Sequence, residues 1–221
     1  MAKKVITLPK AVLFDWDNTL VDTWPIIHDS MNVTLKQMGR SVWTLEETQE
    51  RVRRSLREAF PEMFGEEWKR ARNCFYERFR EIHLKGLKEL PGAESVLKIF
   101  HKKNVYLGVV SNKMGNHLRK EVNHLGWNKY FGGLVGATDA IADKPSVEPV
   151  IMALQGSGIE PSPEVWFIGD TKIDMECAYR SGCTGVFINK RIPNSGDFME
   201  FMPKIHFIGC NELATKISLL T

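Results

Sequence analysis

Six short runs of almost unbroken apolar residues recur along the chain. They are Ala11–Asp15 (AVLFD), Val105–Val110 (VYLGVV), Leu134–Val135, Val165–Ile168 (VWFI), Gly185–Ile188 (GVFI) and Ile205–Ile208 (IHFI). Runs this short, without alternation, predict strands covered on both faces, the pattern of a parallel sheet. Between them apolar residues recur at helical spacing. Val96, Leu97 and Phe100 follow Pro91-Gly92; Leu118, Val122 and Leu125 precede Gly126; Val147, Val150, Ile151 and Leu154 lie between Pro145 and Gly156. Strands alternating with helices predict an α/β fold, a doubly wound, Rossmann-like parallel sheet.

One interval breaks the rhythm. Residues 16–104 separate the first two runs, whereas a crossover needs only about a dozen residues. The surplus carries two helical stripes: Ile27, Met31, Leu35 and Met38, then Phe64, Trp68, Ala71, Phe75, Phe79 and Ile82. An aromatic stripe of that kind predicts core packing. The expected organisation is therefore a core domain of residues 1–21 and 89–221, with an all-helical cap domain, 22–88, inserted after the first strand. The chain's 221 residues agree, being roughly one and a half times the ~150 residues of an average domain.

Composition narrows the class. Hydrophobic residues make up 43% and charged residues 26%, ordinary for a globular protein. Disordered, collagenous and disulfide-framework classes are excluded. A net charge of +3 demands neither a nucleic-acid nor a membrane partner. No apolar stretch approaches the ~18–20 residues of a membrane span. Cys74, Cys177, Cys183 and Cys210 form no C-x-x-C pair, and no signal peptide opens the chain; reduced thiols and a cytoplasmic location are expected. Neither of the two common glycine-rich nucleotide cradles is present.

In an open α/β sheet, ligands bind beyond the carboxyl ends of the strands. The first run ends Asp15-Trp16-Asp17-Asn18-Thr19, and the second ends Ser111-Asn112-Lys113. Asp143-Lys144-Pro145 follows the third at an expected helix start; Gly169-Asp170-Thr171 closes the fourth, with Asp174 just beyond. Clustered carboxylates repel one another and call for a divalent cation. An all-oxygen donor set with few dedicated protein ligands suits Mg²⁺, which also takes substrate phosphate. Ser111, the amides near Asn112 and Lys144 could hold the remaining phosphate oxygens. Asp15 and Asp17 would point to opposite faces of an extended chain. A turn straight after Asp15 would bring both to the crevice.

These motifs carry a resemblance. FDWDNTLVDT resembles the D-x-D-x-T signature of the haloacid dehalogenase-like hydrolase superfamily, and VVSNK, DKP and FIGDTKID look like its second, third and fourth motifs in order. The helical insertion is similar to the cap of the phosphoglycolate phosphatase and β-phosphoglucomutase branch. The resemblance implies a Mg²⁺-dependent phosphatase on a small phosphorylated metabolite, working as a monomer or homodimer. Asp15 would be the nucleophile forming an aspartyl phosphate, and Asp17 the acid and base. Ser111, Asn112 and Lys144 would grip the phosphoryl group, and Thr19 would orient the loop and contribute to phosphate binding. Asp15, Asp17 (through its carbonyl), Asp170 and Asp174 would serve the metal. Asn18 stands where Gly is more frequent, Trp16 is bulkier than usual, and the third motif reads Lys-Pro-Ser-Val-Glu-Pro.

Other readings stand beside this one. A phosphomutase shares the chemistry. A receiver-like signalling domain also phosphorylates an Asp beside Mg²⁺ and Lys, but it is shorter and uses a middle strand. A dehalogenase is disfavoured by Asp17. In the helical segment, Arg57 and Arg54 belong either to a leaving-group contact or to a solvated helix face.

Overall fold

The computed structural model describes residues 6–52 and 56–220. In chain order the elements are β1 (Ala11–Phe14), β2 (Val21–Asp22), α1 (Trp24–Gln37), α2 (Leu45–Arg51), α3 (Leu56–Phe64), α4 (Trp68–Gly86), β3 (Lys88–Glu89), α5 (Ala93–Lys102), β4 (Tyr106–Met114) and α6 (Gly115–His124). They continue with β5 (Gly133–Ala137), α7 (Glu148–Leu154), β6 (Val165–Gly169), α8 (Lys172–Arg180), β7 (Thr184–Ile188), α9 (Ser195–Phe198), β8 (Ile205–Phe207) and α10 (Cys210–Ser218). Six strands form one sheet in the order β5-β4-β1-β6-β7-β8, every neighbouring pair parallel. The expected α/β class is the observed one.

Alternation along β1 explains the two layers of helices. Val12 and Phe14 point to one face, where α5, α6 and α10 contribute Leu97, Leu118 and Ile217. Ala11 and Leu13 point to the other, covered by α7 and α8 through Val150, Leu154 and Cys177. All four β1 residues are fully buried. The chain runs outward from β1 to β4 and β5, then returns past β1 to β6. The carboxyl ends of β1, β4 and β6 thus meet at the switch point of the sheet, where a crevice must form.

Between β1 and β4, helices α1, α3 and α4 bury a cluster of their own, built from Ile26, Met31, Leu35, Phe60, Phe64, Ala71, Phe75 and Phe79. Helix α2 is opened by a capping box in which Thr44 and Glu47 satisfy each other's backbone N–H groups. A short antiparallel ladder, Val21 opposite Glu89 and Asp22 opposite Lys88, ties the two ends of this segment together.

Several boundaries differ from expectation. The aromatic stripe from Phe64 to Ile82 is not one helix: Phe64 ends α3, a single 3₁₀ turn spans Gly65–Glu67, and α4 begins at Trp68. On α1 it is Ile26 that is fully buried, while Ile27 is only half-buried. Helix α7 starts at Glu148 rather than Pro145, with Pro149 in its first turn. Strand β4 runs on to Met114, so Ser111, Asn112 and Lys113 lie within it, where its register against β5 shifts between Val110 and Met114. The β2–β3 ladder was not expected, since two-residue strands leave no periodic signal.

Candidate active site

Strand β1 stops at Phe14 and the chain turns at once. Leu20 N–H donates to the Trp16 carbonyl (3.0 Å) and Asn18 N–H to the Val21 carbonyl (2.7 Å). Asn18 takes a left-handed φ of 61°, which Asn tolerates better than most residues. Its side-chain oxygen also accepts from Thr23 N–H at 3.2 Å, so it fastens the turn to the start of α1. Trp16 carries the strand alternation inward: fully buried, it stands edge-on to Trp127 at 5.8 Å. Asp15 and Asp17, on either side of it, both face the crevice.

Lys144 is the cation at the crevice floor. Its Nζ lies 2.6 Å from Asp15 Oδ1 and 2.7 Å from Asp174 Oδ1, and its side chain is 3% exposed. Asp174 Oδ2 accepts from Thr171 N–H and hydroxyl, at 3.0 and 2.6 Å, as the capping box of α8. The Thr19 hydroxyl sits between Asp15 and Asp170, 3.4 Å from an oxygen of each. It braces the two acids and is not among the cavity-lining residues. Oxygens of Asp15, Asp170 and Asp174 all lie within 4.8 Å of one another.

Three carboxylates and one ammonium leave negative charge uncompensated. Burial, with Asp174 and Asp17 adding and Lys144 opposing, pushes the Asp15 carboxyl up to about 7. Burial and the charges of Asp15 and Asp174 raise Asp170 well above the carboxylate range. A site so crowded with hard oxygen donors fits a divalent cation of the Mg²⁺ type.

Asn112 clamps the loop that carries Lys144: its Oδ1 accepts from Lys144 N–H at 2.9 Å and its Nδ2 donates to the Lys144 carbonyl at 3.2 Å. Ser111, almost fully buried, also lines the cavity. The next residue is one that the sequence reading quoted within its motif without giving it a role. Lys113 Nζ lies 2.7 Å from Asp17 Oδ1 and 3.0 Å from Glu121. Glu121, fully buried on α6, accepts from Trp16 Nε1 at 2.7 Å and pairs with His83 Nδ1 of α4 at 2.8 Å. Burial opposes the charge on Lys113, but Asp17 and Glu121 outweigh it and raise its pKa. The network links Asp17 to the acid loop's own Trp16 and to the helical segment above. A strand-end Lys followed eight residues later by a Glu on an apolar helix face was the available signal.

Above the acids, α1, α3 and α4 close a cavity of about 140 Å³. Arg57, proposed from sequence near the leaving group, does not line it. Its guanidinium instead reaches down to Asp143 Oδ1 at 2.9 Å, bridging α3 to the loop before Lys144. Arg54 lies outside the described residues. No helix among the described residues is long and apolar enough to cross a membrane, and the four cysteines are free thiols.

Comparison with known proteins agrees with this geometry. The family model for haloacid dehalogenase-like hydrolases matches residues 12–188. "Putative pyrophosphatase PpaX" of Clostridium perfringens is 30% identical over 173 residues, 78% of this chain and 80% of its own. A phosphoglycolate phosphatase of Aquifex aeolicus is 30% identical over 177 residues, 78% of this chain and 81% of its own. The crystal structure of a HAD-superfamily hydrolase from Ehrlichia chaffeensis superposes with a TM-score of 0.66 at 29% identity, covering 98% of this chain and 99% of that one. A haloacid dehalogenase-like hydrolase from Bacteroides fragilis shares the fold at a TM-score of 0.83 and 19% identity, over 93% and 99% of the two chains. With four strand-end motifs converging on one crevice and the family model spanning them all, the chain belongs to the haloacid dehalogenase-like hydrolases.

Proposed function

We propose that this chain is a Mg²⁺-dependent phosphatase that cleaves a small organic phosphate monoester through an aspartyl-phosphate on Asp15. The observation that carries the reading is the pairing of Asp15 with Lys144 at 2.6 Å on the floor of a cavity that Asp17 also lines. A carboxylate oxygen of Asp15 attacks phosphorus, forming one P–O bond as the bond to the leaving alcohol breaks. Asp17 gives its proton to the departing oxygen, then takes one from the water that hydrolyses the acyl phosphate, which restores both acids. Lys144 neutralises charge gathering on the phosphoryl oxygens, with Ser111 beside it. Asp15, Asp170 and Asp174, with the Asp17 carbonyl, would hold Mg²⁺, which supplies the further positive charge that a dianionic substrate needs beside a carboxylate nucleophile. Residues 22–88 act as the lid that keeps bulk water from the acyl phosphate.

The test is turnover of p-nitrophenyl phosphate with Mg²⁺, with EDTA, and by Asp15→Asn. Activity is expected only in the first case. Turnover in EDTA, or by Asp15→Asn, contradicts the mechanism. The names of the two relatives add inorganic pyrophosphate and phosphoglycolate as natural probes of the same assay.

A further inference from the structure

Among the described residues, the helical side of the cavity is mostly apolar. Trp24 and Ile27 of α1, Leu56 of α3, and Phe75 and Phe79 of α4 line it. Trp24, Ile27 and Leu56 are only half-buried, so apolar surface is left facing the cavity rather than packed away. The two cations among the described lining residues are both engaged: Lys144 holds Asp15 and Asp174, and Lys113 holds Asp17 and Glu121. The polar groups on the leaving-group side are Tyr76 and His117. Their rings stack at 5.6 Å and 17°. His117 is 2% exposed, and its Nδ1 is buried without a hydrogen-bond partner among the described residues. Burial first, with the charge of His83 and Lys113 adding, drives its pKa down to about 4, so the ring is neutral.

Resting on the phosphatase reading above, we infer that the leaving group is uncharged and largely apolar, an aromatic or hydrocarbon-rich alcohol with room for one polar substituent on the side of the cavity that His117 lines. A carboxylate seated on this wall would lose its water and meet no unengaged cation among the described lining residues. Phosphoglycolate therefore suits this wall poorly.

The probes are benzyl phosphate, 3-hydroxybenzyl phosphate, ethyl phosphate and 2-phosphoglycolate, all esters of alkyl alcohols, so that leaving-group acidity does not set the ranking. With Mg²⁺ present, kcat/KM for benzyl phosphate is expected to exceed that for ethyl phosphate and 2-phosphoglycolate by roughly tenfold or more. The hydroxybenzyl ester should be better still, and His117→Phe should erase that last advantage. Ile27→Arg, which adds a cation to the wall, should raise 2-phosphoglycolate relative to benzyl phosphate by about tenfold. Calorimetric binding of benzylphosphonate against phosphonoacetate repeats the ranking without turnover. No turnover of any ester refutes the phosphatase reading, while the binding order still judges this inference. Phosphoglycolate or phosphonoacetate matching the benzyl compound overturns it. A selective fall of 2-phosphoglycolate turnover in the Arg53→Ala, Arg54→Ala double variant would also overturn it, by assigning carboxylate recognition to those arginines.

Discussion

The sharpest stability prediction concerns Lys113→Met. The side chains of Lys113 and Glu121 are 5% and 0% exposed. Removing the ammonium leaves Glu121 charged and buried, with only the hydrogen bonds of Trp16 and His83, and frees Asp17 of its counter-charge. Breaking a buried pair from one side costs about 3–5 kcal/mol. Domains of this size lose about 2–4 °C per kcal/mol, so the melting midpoint should fall by roughly 6–20 °C. Glu121→Gln keeps one acceptor oxygen, for Trp16 Nε1, turns the other position into an amide N–H that can donate to His83 Nδ1, and leaves Lys113 paired with Asp17, so it should cost less. In the double variant no charge remains buried at position 121, and the total should fall short of the sum of the singles by about 2 kcal/mol. Urea unfolding of the four proteins measures each corner of the cycle. Additivity within about 0.5 kcal/mol would show that the two residues are independent and would refute the argument. In activity assays Lys113→Met should lower kcat more than it raises KM, because the Lys113 ammonium is engaged with Asp17 and Glu121 and orients the acid.

Other predictions follow from the same geometry. Mg²⁺ at a hundred times its dissociation constant should stabilise the fold by about 2.7 kcal/mol, seen as a rise in melting temperature that EDTA reverses and Asp170→Asn abolishes. Arg57→Ala strips Asp143 Oδ1 of the Arg57 guanidinium while its other oxygen has no partner among the described residues; a loss of about 1–3 kcal/mol is expected, partly recovered by adding Asp143→Asn, as urea midpoints would show. His117 titrates near 4 in the fold and near 6.5 in an unfolded chain. Between those values the unfolded chain holds the extra proton, so stability is complete above about 6.5 and falls as pH drops toward 4, by at most about 3 kcal/mol. His117→Phe should flatten the urea midpoint across that range, and an unchanged slope would exclude this residue as its source.

The pattern of apolar runs was enough to read the sheet, because strands buried on both faces have no alternative sequence to show. The acids at the strand ends were legible for the same reason: the chain cannot be polar in mid-sheet, so its chemistry collects where each strand stops. What escaped was long-range pairing. Nothing near Lys113 announces that its partners are Asp17 and Glu121, and nothing near Arg57 points to Asp143, since each contact joins segments brought together only by the topology. The aromatic stripe misled differently. Helical spacing from Phe64 to Ile82 survives the 3₁₀ turn at Gly65–Glu67, which nearly preserves the phase, so periodicity could not reveal the break. Trp16, a departure from the usual motif, has a physical reason: its indole N–H is the donor that satisfies buried Glu121.

The two-residue strands β2 and β3 have a consequence for how this molecule can be taken apart. They run antiparallel, and Leu90 N–H donates to the Leu20 carbonyl at 2.9 Å just below them. The chain therefore passes between sheet and helical segment through a covalent seam one hairpin wide, and a two-residue turn is all that antiparallel neighbours need to be joined. Seen from the sheet, everything between Thr23 and Leu87 is a very long hairpin loop. That makes the seam a natural place for exchange: helical segments of other lengths and linings could be spliced there without altering the register of a single sheet strand, provided they restore partners for buried Glu121 and Asp143.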